Sequence, residues 1–141
     1  MLVRTAEAVW QGDLLNGEGK VTVLNEHVPY SFASRVEDGA GTNPEELLAA
    51  GHAGCVSMAL SNELAKAGYT PNRVHTVAGV HLVKVEGGIA ISQIDLTIEA
   101  DVPGIDESTF QELAEGVRSN CPVSQLFQGA NITLAATLQA G

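Results

Sequence analysis

The first third of the chain is rich in β-branched and aromatic residues separated by turn-forming residues. The stretches TAEAVW, KVTVLN and VPYSFASRVE have the composition of strands, and Gly12, Gly17, Gly19 and Asn25 supply turn signals between them. This pattern predicts a meander of three strands, with the third running through VPYSFASRVE. The segment EDGAGTNP that follows is predicted to be a loop.

The strongest helical pattern begins after this loop. Asn43 is a good N-cap, Pro44 suits the first helical position, and Glu46 is spaced to complete a capping box with Asn43. Lys66 falls in the last turn and Gly68 is a C-cap candidate, so a helix is predicted over residues 44–67. Much of its circumference is apolar or small. We therefore expect burial on nearly all sides, within one domain or between two chains.

Two glycines inside this helix need an explanation. Gly51 and Gly54 each disfavour a helix by about 1 kcal/mol relative to alanine. A close approach of another backbone, or of a ligand, beside Cys55 would offset this loss.

The remaining pattern alternates between strands and helices. RVHTVAGVHLVKVE and IAISQIDLTIEADV predict a hairpin with its turn at residues 87–88. Ser108 is the expected cap of a helix over TFQELAEGVRSN, the first turn of a short helix over CPVSQLF is expected to hold Cys121, and ANITLAATLQA is a final strand. This order predicts a single α+β domain over residues 1–141, with helices packed against antiparallel sheet.

Composition narrows the classes of function. The chain has 141 residues, 45% of them hydrophobic, and a net charge of −10. This acidity argues against nucleic-acid binding and against docking on anionic lipid, which both need clustered cations. The N-terminal residues do not resemble a signal peptide and no stretch has the length of a membrane span, so we expect a cytoplasmic protein. Thiols are kept reduced there, and cysteine pairs are more often catalytic or redox-sensing than structural.

The chain has only two cysteines, 66 positions apart. They cannot make a tetrahedral zinc site alone and the four histidines lack ligand spacing, so we expect no metal. Cys121 precedes Pro122 at a helix start, where backbone N–H groups and the helix dipole favour a thiolate. Cys55 lies in mid-helix, where the helix does not stabilise a thiolate, so a reactive Cys55 would need a nearby cation. Arg35, predicted at a strand end before the long helix, could fold over that helix and bind a carboxylate as well.

Simpler interpretations exist for each of these residues taken alone. A cysteine in an Ala- and Gly-rich helix is often only a small buried hydrophobe. Arg35 would then be a solvated strand-end charge, Glu45 a first-turn acid favoured by the helix dipole, and His52 a packed helix residue rather than a catalytic base. The residues indicate a thiol redox protein without excluding two inert buried thiols.

The block GTNPEELLAAGHAGC, together with the later CPVSQLF, resembles the OsmC/Ohr family of osmotically inducible and organic-hydroperoxide-resistance proteins. The form GHAGCVSMALS is more similar to the OsmC branch. The resemblance implies an α+β fold with antiparallel sheets around a long central helix, an intertwined homodimer, and thiol-dependent peroxidase activity in oxidative or osmotic stress defence. It implies no cofactor, and a lipoylated protein or another dithiol as the reductant.

The resemblance also implies roles for four residues. Cys55 matches the peroxidatic cysteine and Cys121 the resolving cysteine. Arg35 matches the arginine that activates the thiolate, and Glu45 the carboxylate that holds this arginine. Glu45 and Cys55 are ten residues apart on one predicted helix, a rise of about 15 Å. We therefore expect each site to combine Cys55 of one chain with Glu45 of another, and either chain could supply Arg35 to it. A redox sensor or ligand-binding module of the same fold, without rapid turnover, is the alternative.

Overall fold

The computed structural model describes residues 1–140, which form six strands and four helices. In chain order these are β1 Glu7–Gln11, β2 Glu18–Val23, β3 Glu26–Tyr30, α1 Phe32–Val36, α2 Pro44–Lys66, β4 Arg73–Val85, β5 Gly88–Asp101, α3 Glu107–Asn120, α4 Pro122–Leu126 and β6 Asn131–Leu138. The α+β prediction is confirmed. The chain divides into two compact units, Met1–Leu47 and the part from Leu48 onward.

The first unit is built on the predicted meander, with β1, β2 and β3 antiparallel in that order. Leu24 and Asn25 make the turn between β2 and β3, with φ of 53° and 63°. Two successive positive φ values are typical of the tight hairpin turn whose twist matches that of the strands. Trp10 and Tyr30 pack edge to face across the sheet, with ring centroids 5.3 Å apart.

The third strand is shorter than predicted, because the chain turns into helix α1 after Tyr30. The Ser34 N–H donates to Ser31 Oγ at 3.0 Å, and the Ser31 N–H donates to Ser34 Oγ at 2.8 Å. This reciprocal capping box satisfies backbone donors that a strand would have paired with a neighbour, so it favours a helix start. Arg35 therefore lies in a short helix, and its prediction as a strand-end residue is wrong.

Helix α2 has nearly the predicted bounds. The Glu46 N–H donates to Asn43 Oδ1 at 2.8 Å, as expected of an N-cap, but the Glu46 carboxylate accepts from the Thr42 hydroxyl at 3.1 Å. At the other end Gly68 has φ +93°, and its N–H donates to the carbonyl of Ala65 at 3.0 Å. The N–H of Tyr69 donates to the carbonyl of Leu64 at 2.9 Å, which completes a Schellman motif at the end of the helix.

The second unit contains a sheet in the order β4, β5, β6. Strands β4 and β5 form the predicted antiparallel hairpin, with a bulge between His81 and Leu82. Its turn lies at residues 86–87, one residue before the predicted position, because Gly88 already pairs with Val85. Strand β6 runs parallel to β5, so the expectation of purely antiparallel sheet is wrong at this edge. The physical reason is the connection: α3 and α4 carry the chain back along the sheet before β6 begins, as a parallel pair requires.

Helix α3 begins two residues earlier than Ser108 would place it. Its N-cap is Asp106, whose carboxylate accepts from the Thr109 N–H at 2.9 Å and the Thr109 hydroxyl at 2.7 Å. An aspartate carboxylate here satisfies a free backbone donor and favours the helix dipole.

One core lies between α2, β5 and α3. Its fully or nearly fully buried side chains are Val56, Leu60, Leu64, Ile94, Leu96, Ile98, Phe110, Ala114 and Val117. None of the helices in residues 1–140 has the length and apolar character that crossing a membrane requires.

Helix α2 is buried along only one stripe of its surface in this chain. His52, Val56 and Leu60 lie on that stripe, whereas Met58 on another side is 77% exposed. Apart from the adjoining residues and the backbone of α2 itself, no atom of the described residues comes within 4 Å of a Cβ built at Gly51 or Gly54. The expected burial on nearly all sides is therefore not found within the described part of this chain.

Candidate functional site

An arginine and a glutamate form a close pair in the first unit. Arg35 Nη2 donates to Glu45 Oε1 at 2.7 Å, and Arg35 Nε lies 3.1 and 3.2 Å from the two carboxylate oxygens. The Glu45 side chain is 9% exposed and that of Arg35 31%. Such a forked contact fixes the plane and direction of the guanidinium group.

Local structure explains why these two side chains meet. The α1 capping box places Arg35 in the last turn of a five-residue helix, and Glu45 lies in the first turn of α2. The Ser34 hydroxyl donates to the carbonyl of Thr42 at 2.7 Å, and the Asn43 amide donates to the carbonyl of Ser34 at 3.1 Å. These bonds tie α1 to the loop before α2.

The two cysteines lie side by side in the second unit, although 66 positions separate them in the sequence. Cys55 is half-buried in the middle of α2, and Cys121 is buried between α3 and α4. Both are free thiols, and each lies close enough to the other to affect its pKa. Proximity of the two thiols is one condition for a disulfide between them.

Hydrogen-bond donors converge on the Cys121 sulfur. As the N-cap of α4, Cys121 Sγ accepts from the Ser124 N–H at 3.4 Å, and its distance to Ser124 Oγ is also 3.4 Å. Burial acts to raise the pKa of Cys121, but the hydroxyl and N–H of Ser124, the Cys55 thiol and the Val123 N–H outweigh it. The pKa of Cys121 is lowered as a result, because these donors favour the thiolate.

The environment of Cys55 has the opposite effect. Burial raises the pKa of Cys55, the Val123 N–H acts against this, and the neighbouring Cys121 sulfur raises it further. Among residues 48–140, no cationic side chain acts to lower the pKa of Cys55. Negative charge on this pair of thiols is therefore favoured on Cys121 until a cation is supplied to Cys55.

His52 extends the cysteine pair into the core. Its ring is fully buried, its Nε2 lies 2.7 Å from Ser124 Oγ, and its ring packs edge to face on Phe127 at 5.3 Å. Burial lowers the pKa of His52, which favours the neutral imidazole. The sequence correctly indicated a packed helix residue, but gave no sign of its partner 72 positions away. The only local signal for Ser124 is its place three residues after an N-cap.

Two grooves lie near these residues. Cys121 lines one of about 310 Å³, together with Asn62, Glu63, Glu112 and Leu113. A second, of about 300 Å³, is mainly apolar and is lined by Leu48, Val80, Ile91, Ile94, Leu126, Phe127 and Ala130. Across residues 1–140, no group of three or more His, Cys, Asp or Glu side chains is arranged to hold a metal ion.

The four residues predicted as a site thus form two pairs. The structure places Cys55 against Cys121 in one unit and Arg35 against Glu45 in the other. The first pair brings two free thiols together. The second presents an oriented cation that is held by a carboxylate.

Comparison with known proteins gives matches over nearly the whole chain. The OsmC family, described as OsmC-like protein, matches residues 37–135. Peroxiredoxin OsmC of Escherichia coli strain K12 is 47% identical over 141 residues, covering 97% of each chain. An organic hydroperoxide resistance protein of Xanthomonas axonopodis pv. citri is 36% identical over 101 residues, 71% of this chain and 68% of that protein. The crystal structure of the organic hydroperoxide resistance protein OhrB of Bacillus subtilis superposes with a TM-score of 0.68 at 26% identity, over 96% of this chain and 98% of that one.

Proposed function

This chain belongs to the OsmC family, and we propose that it is a cysteine-based peroxidase that reduces organic hydroperoxides, with hydrogen peroxide as a second candidate substrate. The observation that carries the proposal is the contact between Cys55 and Cys121, the only two cysteines of the chain. The names of the bacterial relatives, a peroxiredoxin and a hydroperoxide resistance protein, support the same chemistry.

In the first step the Cys55 thiolate attacks the terminal oxygen of the peroxide. The S–O bond forms as the O–O bond breaks, and the leaving alkoxide takes a proton and departs as an alcohol. Sulfur is oxidised to a sulfenic acid, and the peroxide is reduced. We assign Cys55 this role because it is the more exposed of the two thiols, which gives a peroxide access to it.

In the second step the Cys121 thiolate attacks the Cys55 sulfur. The S–S bond forms, the S–O bond breaks, and hydroxide leaves as water after taking the proton that Cys121 gave up. A dithiol, free or carried as a lipoyl group on a protein, then reduces the disulfide by exchange and becomes oxidised itself. A supply of such dithiols is typical of the cytoplasm, where we place the protein.

We propose further that Arg35 activates Cys55 across a homodimer. Cys55 needs a cation to lower its pKa, and Arg35 is a cation held in a fixed direction by Glu45. Glu45 and Cys55 belong to the same helix, about 15 Å apart along its axis, so the two groups of one chain cannot both reach one Arg35. The exposed Gly51 and Gly54 beside Cys55 give a second chain room to approach.

The chemistry is tested by adding one equivalent of cumene hydroperoxide and measuring intact masses. The wild type is expected to lose two hydrogens as the disulfide forms. Cys121→Ser is expected to gain one oxygen on Cys55, which dimedone traps, and Cys55→Ser is expected to stay unchanged. Oxidation of Cys121 in the Cys55→Ser variant at the wild-type rate would overturn the assignment of the peroxidatic cysteine.

The two-chain site is tested by mixing subunits. Arg35→Ala and Cys55→Ser homodimers are each expected to be inactive. Their heterodimer is expected to recover one working site, made of Cys55 from the Arg35→Ala chain and Arg35 from the Cys55→Ser chain. A heterodimer as inactive as its parents would place both groups of a site in one chain.

A further inference from the structure

We propose that His52 and Ser124 form a hydrogen-bonded relay that holds Cys121 as the thiolate for the disulfide-forming step. The role in that step rests on the proposed function, in which Cys121 resolves the Cys55 sulfenic acid. Both are positioning residues, because they act on the reacting sulfur through hydrogen bonds and do not touch the peroxide.

The relay is a continuous line of contacts from the core to the sulfur. His52 Nε2 lies 2.7 Å from Ser124 Oγ, and Ser124 Oγ lies 3.4 Å from Cys121 Sγ. The Ser124 N–H donates to the same sulfur at 3.4 Å. His52, Ser124 and Cys121 are each at most 2% exposed, so water does not compete for these bonds.

The Ser124 hydroxyl can donate to only one partner, and the state of His52 decides which. The other ring nitrogen, Nδ1, is buried and has no hydrogen-bond partner within residues 1–140. A proton on Nδ1 would leave a buried N–H unpaired, which is rare in proteins. We therefore assign the proton of the neutral ring to Nε2, which then donates to Ser124 Oγ. The serine proton is then available to a Cys121 thiolate.

The direction of the second contact then depends on the state of Cys121. A Cys121 thiol donates to Ser124 Oγ, whereas a Cys121 thiolate accepts from the Ser124 hydroxyl. The second arrangement gives the thiolate two donors from one residue, and its pKa is lowered by both. Other titratable groups on this side are Cys55, which also lowers the Cys121 pKa, and the carboxylates of Glu63 and Glu112 in the adjoining groove.

If His52 acted as a general base, its imidazole would become charged during the reaction. Such a base would take the Cys121 proton through Ser124 and become a buried imidazolium with no carboxylate hydrogen-bonded to it. Burial lowers the pKa of His52 and opposes this state. In the relay the ring stays neutral throughout, and the proton from Cys121 leaves with the hydroxide released from Cys55 as water.

The test is a titration of Cys121 by the ultraviolet absorbance of its thiolate. In a Cys55→Ser background Cys121 is the only thiol, and Cys55→Ser/Cys121→Ser provides the blank. Adding Ser124→Ala is expected to raise the Cys121 pKa by about one unit, the size of one lost hydrogen bond to a charged sulfur. Adding His52→Phe is expected to raise it by a smaller amount, and His52→Gln, whose amide can still donate to Ser124, is expected to restore it.

Ser57→Ala is the matched control, since Ser57 is also on α2 but its hydroxyl lies within hydrogen-bond distance of the Ala53 carbonyl and the Thr76 hydroxyl. It is expected to leave the Cys121 pKa unchanged. With Cys55 present, Ser124→Ala is expected to slow disulfide formation about tenfold below the pKa, in proportion to the lost thiolate, while sulfenic acid forms at the wild-type rate.

An unchanged Cys121 pKa in Ser124→Ala would overturn the relay, whether or not the protein consumes peroxide. A disulfide-forming rate in Ser124→Ala equal to that of the wild type would also overturn it. If the pKa shifts as expected but the wild type shows no peroxide turnover, the proposed function fails while the relay to Cys121 stands. The titration needs no peroxide, so the two failures are distinguishable.

Discussion

Replacing Gly54 by alanine gives opposite results for a free helix face and for a face that meets a second chain. Gly54 lies on α2 next to Cys55 and is exposed in this chain. A Cβ added at this position meets no atom within 4 Å apart from its own helix turns and chain neighbours. Considered as a single chain, the protein has room for the methyl group.

The magnitude follows from helix propensity. Alanine is more favourable than glycine in a helix interior by about 1 kcal/mol. In the single chain Gly54→Ala would therefore stabilise the fold by about that amount. If a second chain packs closely against Gly54, the added methyl group overpacks the contact, which destabilises by about 1–3 kcal/mol and cancels or reverses the gain.

The assay is urea unfolding at several protein concentrations, combined with sedimentation to follow the dimer. Gly116→Ala is the matched control, because Gly116 lies within α3 and a Cβ there also meets nothing within 4 Å. We expect Gly116→Ala to be more stable than the wild type by about 1 kcal/mol. We expect Gly54→Ala to be no more stable than the wild type. We also expect its dimer to dissociate at protein concentrations at which the wild-type dimer stays intact.

Equal stabilisation by both substitutions, with an unchanged dimer, would refute this reasoning. It would mean that no backbone approaches the Gly54 face of α2. The proposed supply of Arg35 from a second chain would then need another route to Cys55.

Three further predictions concern single side chains. Glu45→Gln is expected to lower kcat/KM for cumene hydroperoxide about tenfold or more, because Arg35 loses a charged partner, whereas Glu46→Gln at the next, exposed position is expected to leave it nearly unchanged. Hydrogen bonds from Thr133, Gln93 and His81 lower the pKa of Asp95 from 3.8 to about 2, so its contribution to stability is present above pH 3.8 and is lost as pH falls through about 2. Thr133→Val is expected to move the Asp95 midpoint upward in a carboxyl NMR titration, and an unmoved midpoint would contradict the assignment. Leu60→Ala removes a fully buried side chain of α2 and is expected to reduce the free energy of unfolding by about 2–5 kcal/mol in urea, a loss below 1 kcal/mol being contrary to the described core.

Elements with strong local signals could be predicted from the sequence. Helix α2 carries its own start at Asn43 and Pro44 and its own stop at Gly68, so its bounds depend little on the rest of the fold. Helix α1 was not predicted, because the composition of the preceding residues is typical of a strand. A pair of serines three residues apart outweighs that composition by capping the helix. The direction of β6 depends on where α3 and α4 carry the chain, which no local pattern specifies.

In the candidate site, too, local features could be predicted from the sequence and non-local contacts could not. The helix-start environment of Cys121 follows from the proline after it, and the structure provides the expected N–H donor from Ser124. The contact between Cys55 and Cys121 is non-local, and its expectation came from the resemblance to a family rather than from spacing. The bond between His52 and Ser124 is also non-local, and only the folded chain reveals it.

Steady-state consumption of cumene hydroperoxide with dihydrolipoamide as the reductant tests the central claim most directly, with the wild type compared with Cys55→Ser. We predict many turnovers per wild-type chain and near-complete loss in the variant. A wild type that forms the disulfide once and does not cycle would identify a redox sensor. A wild type that consumes no peroxide and keeps both thiols free would contradict the proposal and identify the cysteines as parts of the core.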